Sequence, residues 1–451
     1  MHCRSHVFFQ EKFITSHGLQ GEKMFKPTLL LSQLLLPVVT MMLIGASPVA
    51  AQVWTLEKST QRAMNGSLEQ QEAVAGIAVR ESELQQAGAW PNPTVSLRAQ
   101  NRLGLDDGAG GYNLDQFTIS QPLPFWRLQQ QQDVAKKQLS AEEASADQLL
   151  LNMQSEIARL YYALQFNHEK LLLAEKRQKF TAAIVDSYSQ KSSQVIRYIN
   201  PLDRHRIELL DEAAHRDLFT ARAAYSETVH LFRLRLQLTK QEEIKLPVMT
   251  AAIAPQALSA LQQQLEASSA SMKQMQYQVE VGEGNVALER ARRFNDPVLS
   301  LIHERDILAG RRQNFQGVML SMTVPLWDGN EGNIARAEAE TMRSESRLQI
   351  TRRNHLAQLE QNHLQLTHLL KQFRTFDKQM IEPAEHLLKL TRQSYAVGEV
   401  NSLSLIDAYN SYFNALTSKL NLMYQSNLAA TNLYQTLGDL SVYTAKTEVQ
   451  Q

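Results

Sequence analysis

One aspartate stands where the sequence brings two helices to a sharp junction. Asp203 follows Asn200-Pro201-Leu202. In the plainest reading Asn200 caps the helix, Pro201 takes its first position, and the carboxylate complements the helix dipole. Copies of that carboxylate gathered around a narrow aqueous passage would do more, because a ring of negative charge selects cations and repels anions. Arg204, His205 and Arg206 come next. Such a run is ordinarily solvated, but paired with carboxylates on neighbouring helices it would latch a closed end.

Other chemistry is poorly represented. His205, His215, His303, His363 and His368 form no His-x-x-His or His/Glu pair with a plausible second ligand, and the 14 methionines make no Met-x-Met string, so no metal site is expected. No phosphate-binding glycine loop, nucleophile elbow or HExxH occurs, so neither a catalytic site nor a cofactor is expected. Asp106-Asp107-Gly108-Ala109-Gly110-Gly111 lacks the register and closing glutamate of a calcium loop. The 46 Lys+Arg balance 46 Asp+Glu, which gives nucleic acid no basic face to bind.

The elements that must position Asp203 begin after an export signal. Lys23 and Lys26 precede an apolar run from Leu29 to Ile44, then Gly45-Ala46-Ser47-Pro48-Val49-Ala50-Ala51 offers small residues to a signal peptidase. Residues 1–51 are therefore expected to be removed, with Met24 a plausible true start. The only cysteine, Cys3, leaves with them, so the mature chain has no disulfide or thiol chemistry.

Glycine and proline set the layout. Eight of the 18 glycines fall in two windows, Gly104–Gly111 and Gly310–Gly332, and none lies between Tyr112 and Val281. Arg127 to Asn200 holds neither glycine nor proline, enough for a helix of ~110 Å. Ile157, Leu160, Tyr161 and Leu164 repeat at helical spacing. Around the glycine windows the spacing changes: Val95, Leu97 and Ala99, and later Val318, Leu320, Met322 and Val324, alternate with other residues as strands do.

The two halves match. Gln121-Pro122-Leu123 answers Val324-Pro325-Leu326, Pro93 answers Pro297, and Asn200-Pro201-Leu202 answers Asn401-Ser402-Leu403. The first repeat, 52–246, is expected to hold strands at about 93–103 and 113–122 and helices 127–200 and 202–246. A linker at 247–256 follows. The second repeat, 257–438, holds strands at about 297–305 and 315–325 and helices 333–397 and 402–437, with a break at Pro383 and a turn at Gly398; 439–451 is a tail. Loops Gly104–Tyr112 and Asp306–Asn314 join the strand pairs. Four amphipathic strands cannot stand alone in a bilayer, where each open edge would leave backbone groups unpaired, and they are too few to close a barrel. Closure implies an oligomer.

The Ala87-Gly88-Ala89-Trp90-Pro91-Asn92-Pro93 lead, the Ile119-Ser120-Gln121-Pro122-Leu123 and Met322-Thr323-Val324-Pro325-Leu326-Trp327-Asp328-Gly329-Asn330 strand exits and the Tyr395-Ala396-Val397-Gly398 turn resemble the TolC-type outer-membrane efflux family. The resemblance implies a fold that is mainly α with a membrane β-barrel: a homotrimer with twelve strands in the outer membrane lipid, continued by a long α-helical barrel in the periplasm. It also implies docking on a periplasmic membrane-fusion adaptor and an inner-membrane RND-type pump. Asn200, Pro201 and Gly398 would then be periplasmic turns, Asp203 and Asp407 a gate and selectivity ring, and Arg204 and Arg206 its latch; Ser404 stands where the family has a further carboxylate. The Pro-Asn-Pro lead and Gln-Pro-Leu exit resemble the CzcC-like branch, which implies export of heavy-metal cations. Multidrug efflux, type I secretion, and a periplasmic coiled-coil adaptor or scaffold are the rival functions.

Overall fold

A computed structural model describes residues 53–100, 114–194, 201–308 and 311–440; the expected signal peptide, the loop Gly104–Tyr112, Asn200 and most of the tail lie outside them. Thr55 caps the short helix α1 (Leu56–Met64) by accepting from Lys58 N, and Ser67 caps α2 (Leu68–Ala87) by accepting from Gln70 N. Strands β1 (Thr94–Gln100) and β2 (Leu114–Pro122) follow, then α3 (Arg127–Gln194) and α4 (Pro201–Leu236). The second repeat runs α5 (Leu258–Ser268), α6 (Ala270–Ala291), β3 (Val298–Leu308), β4 (Arg311–Ser321), α7 (Glu331–Phe376), α8 (Glu382–Val397) and α9 (Ser402–Leu437). Ser269 caps α6 as Ser67 caps α2, at the equivalent place in the repeat.

α3 is 68 residues long, ~100 Å at the helical rise. A helix of that length cannot bury itself, and the neighbours that cover it change along its course. α2 and α6 flank its strand-proximal part, while α4 and α9 flank the rest. Where α6 meets α7 the helices approach closely at Gly282, since a Cβ there would meet the Thr341 backbone at 3.2 Å.

Two apolar clusters hold the helices together. The larger one gathers Trp54, Ile157, Tyr161, Phe232, Leu265 and Leu433 from four helices and the N-terminal segment. Trp54 N donates to Lys245 O, Tyr161 Oη donates to Trp54 O, and the Trp54 ring meets Phe232 edge-on at 6.0 Å. The smaller cluster contains Leu210, Leu388, Ala408, Tyr409 and Phe413.

The structure corrects three expected boundaries. The helix expected over 202–246 ends at Leu236, because Gln237 turns left-handed (φ 53°) and the Arg233 guanidinium folds back onto the carbonyls of Thr239 and Glu242. The following segment instead packs Leu238, Ile244 and Leu246 on the larger cluster. Pro383 does not break its helix. A π turn at Asp377–Ile381 precedes it, and the proline sits in the first turn of α8, where a missing N–H costs no helical bond. The expected loop Asp306–Asn314 is largely strand: Arg305 faces Asn314 and Asp306 faces Gln313 across the ladder, and β4 ends at Ser321, short of Pro325, which has no N–H for a ladder.

Candidate functional site

The start of α4 meets the start of α9, just beyond the turn that ends α8. Gly398 ends α8 in the left-handed conformation (φ 83°), which glycine adopts without a Cβ clash, and Glu399 N donates back to Ser394 O at 2.9 Å. Asn401 then caps α9 by accepting from Ser404 N at 3.0 Å. Between the two helix starts, the buried Ser402 Oγ donates to Asp203 Oδ1 at 2.5 Å. Asp203 also faces Arg206 Nη1 at 3.5 Å on its own helix.

The sequence therefore places Asp203 at the junction, but the structure engages it as a clasp between α4 and α9. Arg204 and Arg206 pair along α4 itself, Arg204 with Glu208 at 2.8 Å and Arg206 with Asp203. Arg204 holds the exposed Glu208 carboxyl below its ordinary range, mainly through that hydrogen bond. Asp407 is exposed beside the buried Ala408 and has no hydrogen bond or ion pair among the described residues. Asn200 lies outside the described residues.

Further from the turns, sequence reasoning missed a polar hub. Arg177 on α3 reaches Asp217 on α4 at 2.5 Å, and Tyr409 Oη and Asn410 Oδ1 on α9 at 3.3 and 3.2 Å. Tyr409 Oη donates to Arg177 O at 3.1 Å, and its ring stacks on Phe180 at 5.1 Å. Burial pushes the Tyr409 hydroxyl up to about 12, against the opposing pull of Arg177, so it stays a neutral donor. Thr181 Oγ1 adds a bond to Asp211 at 2.7 Å. A signal existed: Arg177 occupies a position in the stripe Leu173, Arg177, Phe180, Ile184 whose other members are apolar.

The sheet is the second surface. Its order is β1-β2-β3-β4, antiparallel throughout. Because residues opposite one another share a face, the register sorts the side chains. Val95, Ile119, Leu301 and Val318 form one row, and Leu97 and Phe117 belong to the next on the same face, all exposed. The other face is mainly polar, with Thr94, Ser96, Thr118, Ser120, Ser300 and Glu304 beside the apolar Ile302, Phe315 and Met319, and Ser120 and Ser300 hydrogen-bonded at 2.8 Å. β1 and β4 are exposed along their whole length and each is paired on one side only. No described helix is long and apolar enough to cross a membrane, and no described cluster of three or more His, Cys, Asp or Glu could hold a metal.

Residues 261–439 match the outer membrane efflux protein family. A stretch of 158 residues is 28% identical to the cobalt-zinc-cadmium resistance protein CzcC of Cupriavidus metallidurans, covering 34% of this chain and 36% of that protein, so the chain matches about a third of that relative's length. The outer membrane protein VceC of Vibrio cholerae superposes with a TM-score of 0.69 over 85% of this chain and 96% of its own, at 15% identity. The CmeC outer membrane channel of Campylobacter jejuni gives 0.67 over 88% of each chain at 13% identity. At such identities the likeness is one of fold.

Proposed function

We propose, from the match of residues 261–439 to the outer membrane efflux protein family, that the chain is the outer-membrane exit duct of a tripartite RND-type export system, carrying heavy-metal cations. The observation that carries this reading is the sheet with one apolar and one polar face and two open edges. In a bilayer those edges must be paired, and β4 of one copy can pair antiparallel with β1 of the next. Three copies close a barrel of twelve strands, within the range of outer-membrane barrels, with the polar face inward. The long helices then hang from the barrel into the periplasm, where their tips meet the adaptor and pump. The protein is a conduit and not a catalyst.

Membrane fractionation with cross-linking tests the assembly. A trimer in the outer-membrane fraction is expected, and a soluble periplasmic monomer would sink the reading.

The cargo rests on the likeness to CzcC, a cobalt-zinc-cadmium resistance protein. Disrupting the gene is expected to sensitise cells to divalent heavy-metal cations and to leave tolerance of organic drugs unchanged. Sensitisation to drugs alone would overturn the cargo and leave the duct standing. A water-filled duct passes hydrated ions without ligands of its own, so binding by the isolated protein is not required.

A further inference from the structure

One row on the apolar face of the sheet changes its chemistry halfway across. Leu97 and Phe117 are continued through the register by His303 and Gln316, which stand directly opposite each other on β3 and β4. Both are exposed, and neither side chain finds a hydrogen-bond partner among the described residues. Hydrocarbon would penalise an imidazole and an amide left in that state. With Phe117, Ile119, Leu301 and Val318 they line an open groove of about 370 Å³.

Beyond the groove the face becomes cationic. One row further from the helices, ~6.7 Å along the strand, come Asp115, Arg305 and Asn314, and the row after that holds Ile307 and Arg312. Alternation keeps all five on the face of the groove. Arg305 Nε donates to Asn314 Oδ1 at 3.3 Å, and both arginines are exposed. Asp115, directly opposite Arg305, is the one carboxylate on this face among the described residues, so the two rows keep a net positive charge. A guanidinium fork matches phosphate oxygens in number and spacing.

From the helices outward, the face therefore presents an apolar groove, two unpaired hydrogen-bonding side chains, and two guanidinium groups. One lipid has the same order: acyl chains, then amide and hydroxyl groups at their root, then phosphates on a sugar. A neutral imidazole and a carboxamide each need a donor and an acceptor, which amide and hydroxyl groups supply and the esters of a common glycerophospholipid do not. We infer that this ladder binds lipid A, the phosphorylated and acylated glucosamine disaccharide that anchors lipopolysaccharide in the outer leaflet. An acyl chain lies in the groove, His303 and Gln316 bond the groups at its root, and Arg305 and Arg312 hold a phosphate. The inference rests on the membrane reading of the sheet, with the helices on the periplasmic side.

The test uses the full-length trimer in vesicles of lipopolysaccharide and phosphatidylethanolamine. Cys3 is the only cysteine and lies in the expected signal peptide, so Gln316→Cys and Leu301→Cys can each carry one benzophenone. On illumination Gln316→Cys should couple to lipopolysaccharide roughly fivefold more than to phosphatidylethanolamine, a preference set by the charge-assisted contacts. Leu301→Cys should couple to lipid of either kind. Equal capture of both lipids at position 316, or coupling there to a second copy of the chain, overturns the inference. If Leu301→Cys captures no lipid at all, it is the membrane reading of the sheet that fails.

A second measurement needs no probe. The unmodified trimer in detergent, read by native mass spectrometry, should bind lipid A roughly tenfold more tightly than dephosphorylated lipid A, and Arg305→Ala with Arg312→Ala should abolish that preference. No preference in the unmodified trimer, or an undiminished one in the double variant, overturns the inference. Should the double variant fail to assemble, Arg305→Gln alone is read in the same way.

Discussion

Arg177→Ala is expected to lower the thermal midpoint of the detergent-solubilised protein by roughly 5 °C and to open the tip half of the helices to protease. The substitution leaves Asp217, Asn410 and the Tyr409 hydroxyl without the donor or partner that joins α3 to α4 and α9. Each buried polar group stripped of its partner costs ~1–3 kcal/mol, and partial exposure of the Arg177–Asp217 pair keeps the sum near the lower end, about 2 kcal/mol. At roughly 2–4 °C per kcal/mol for a chain segment of this size, the shift is measurable. Irreversible unfolding makes the scan rate part of the measurement, so variants are compared at one rate. Coupling is the sharper readout: in a cycle with Asp217→Asn, the two changes should be non-additive by ~1 kcal/mol. Additive effects, or an unchanged midpoint for Arg177→Ala, would mean that the smaller apolar cluster alone sets the packing of α3 on α9.

Asp407→Asn is expected to lower cation selectivity in planar bilayers three- to tenfold at low salt, and Asp203→Asn is expected to change it less. The proposal is that threefold symmetry brings both positions towards the axis at the periplasmic mouth, where a narrow pore concentrates their field. The structure separates the two carboxylates. Asp203 accepts from Ser402 and faces Arg206, so much of its charge is already answered, whereas Asp407 is exposed. A carboxylate ~4 Å from a passing cation contributes ~1 kcal/mol even in a water-like medium, which is the origin of the factor. Raising salt towards 1 M shortens the screening length to ~3 Å and should erase the difference between wild type and variant. Asp203→Asn should instead loosen the contact between α4 and α9, seen as greater conductance or leak. Unchanged selectivity in a folded Asp203→Asn, Asp407→Asn double variant would make both carboxylates solvated surface groups and place the constriction elsewhere.

Those differing roles show where sequence and structure divide. Long helices were legible because glycine and proline are excluded from Arg127–Asn200 and because Ile157, Leu160, Tyr161 and Leu164 recur at the helical period. The strand pairs were legible because alternation is a property of neighbours two apart in the chain. The duplication was legible because it is written twice. Each of these is local or repeated, so the sequence by itself determined which elements form, and that the sheet has an apolar and a polar face.

Elements whose limits depend on distant partners were not legible. α4 stops at Leu236 because Arg233 finds carbonyls beyond it, and the segment after it is held by the core around Trp54. Pro383 is absorbed by a π turn whose Asp377 pairs with Lys419 on another helix, 2.7 Å away. Asp203 reads from sequence as a free carboxylate in a cap; only the approach of two helix starts nearly two hundred residues apart supplies Ser402 and turns it into a clasp. Arg177 carried a faint signal as a charge in an apolar stripe, but its partners lie on α4 and α9. The register of β2 on β3 was likewise beyond local pattern, and it alone shows that the apolar rows end at Asp115 and Arg305. Periodicity along the chain fixes what an element buries, whereas a partner across the fold, chosen by packing and charge, decides where that element ends and what its polar groups do.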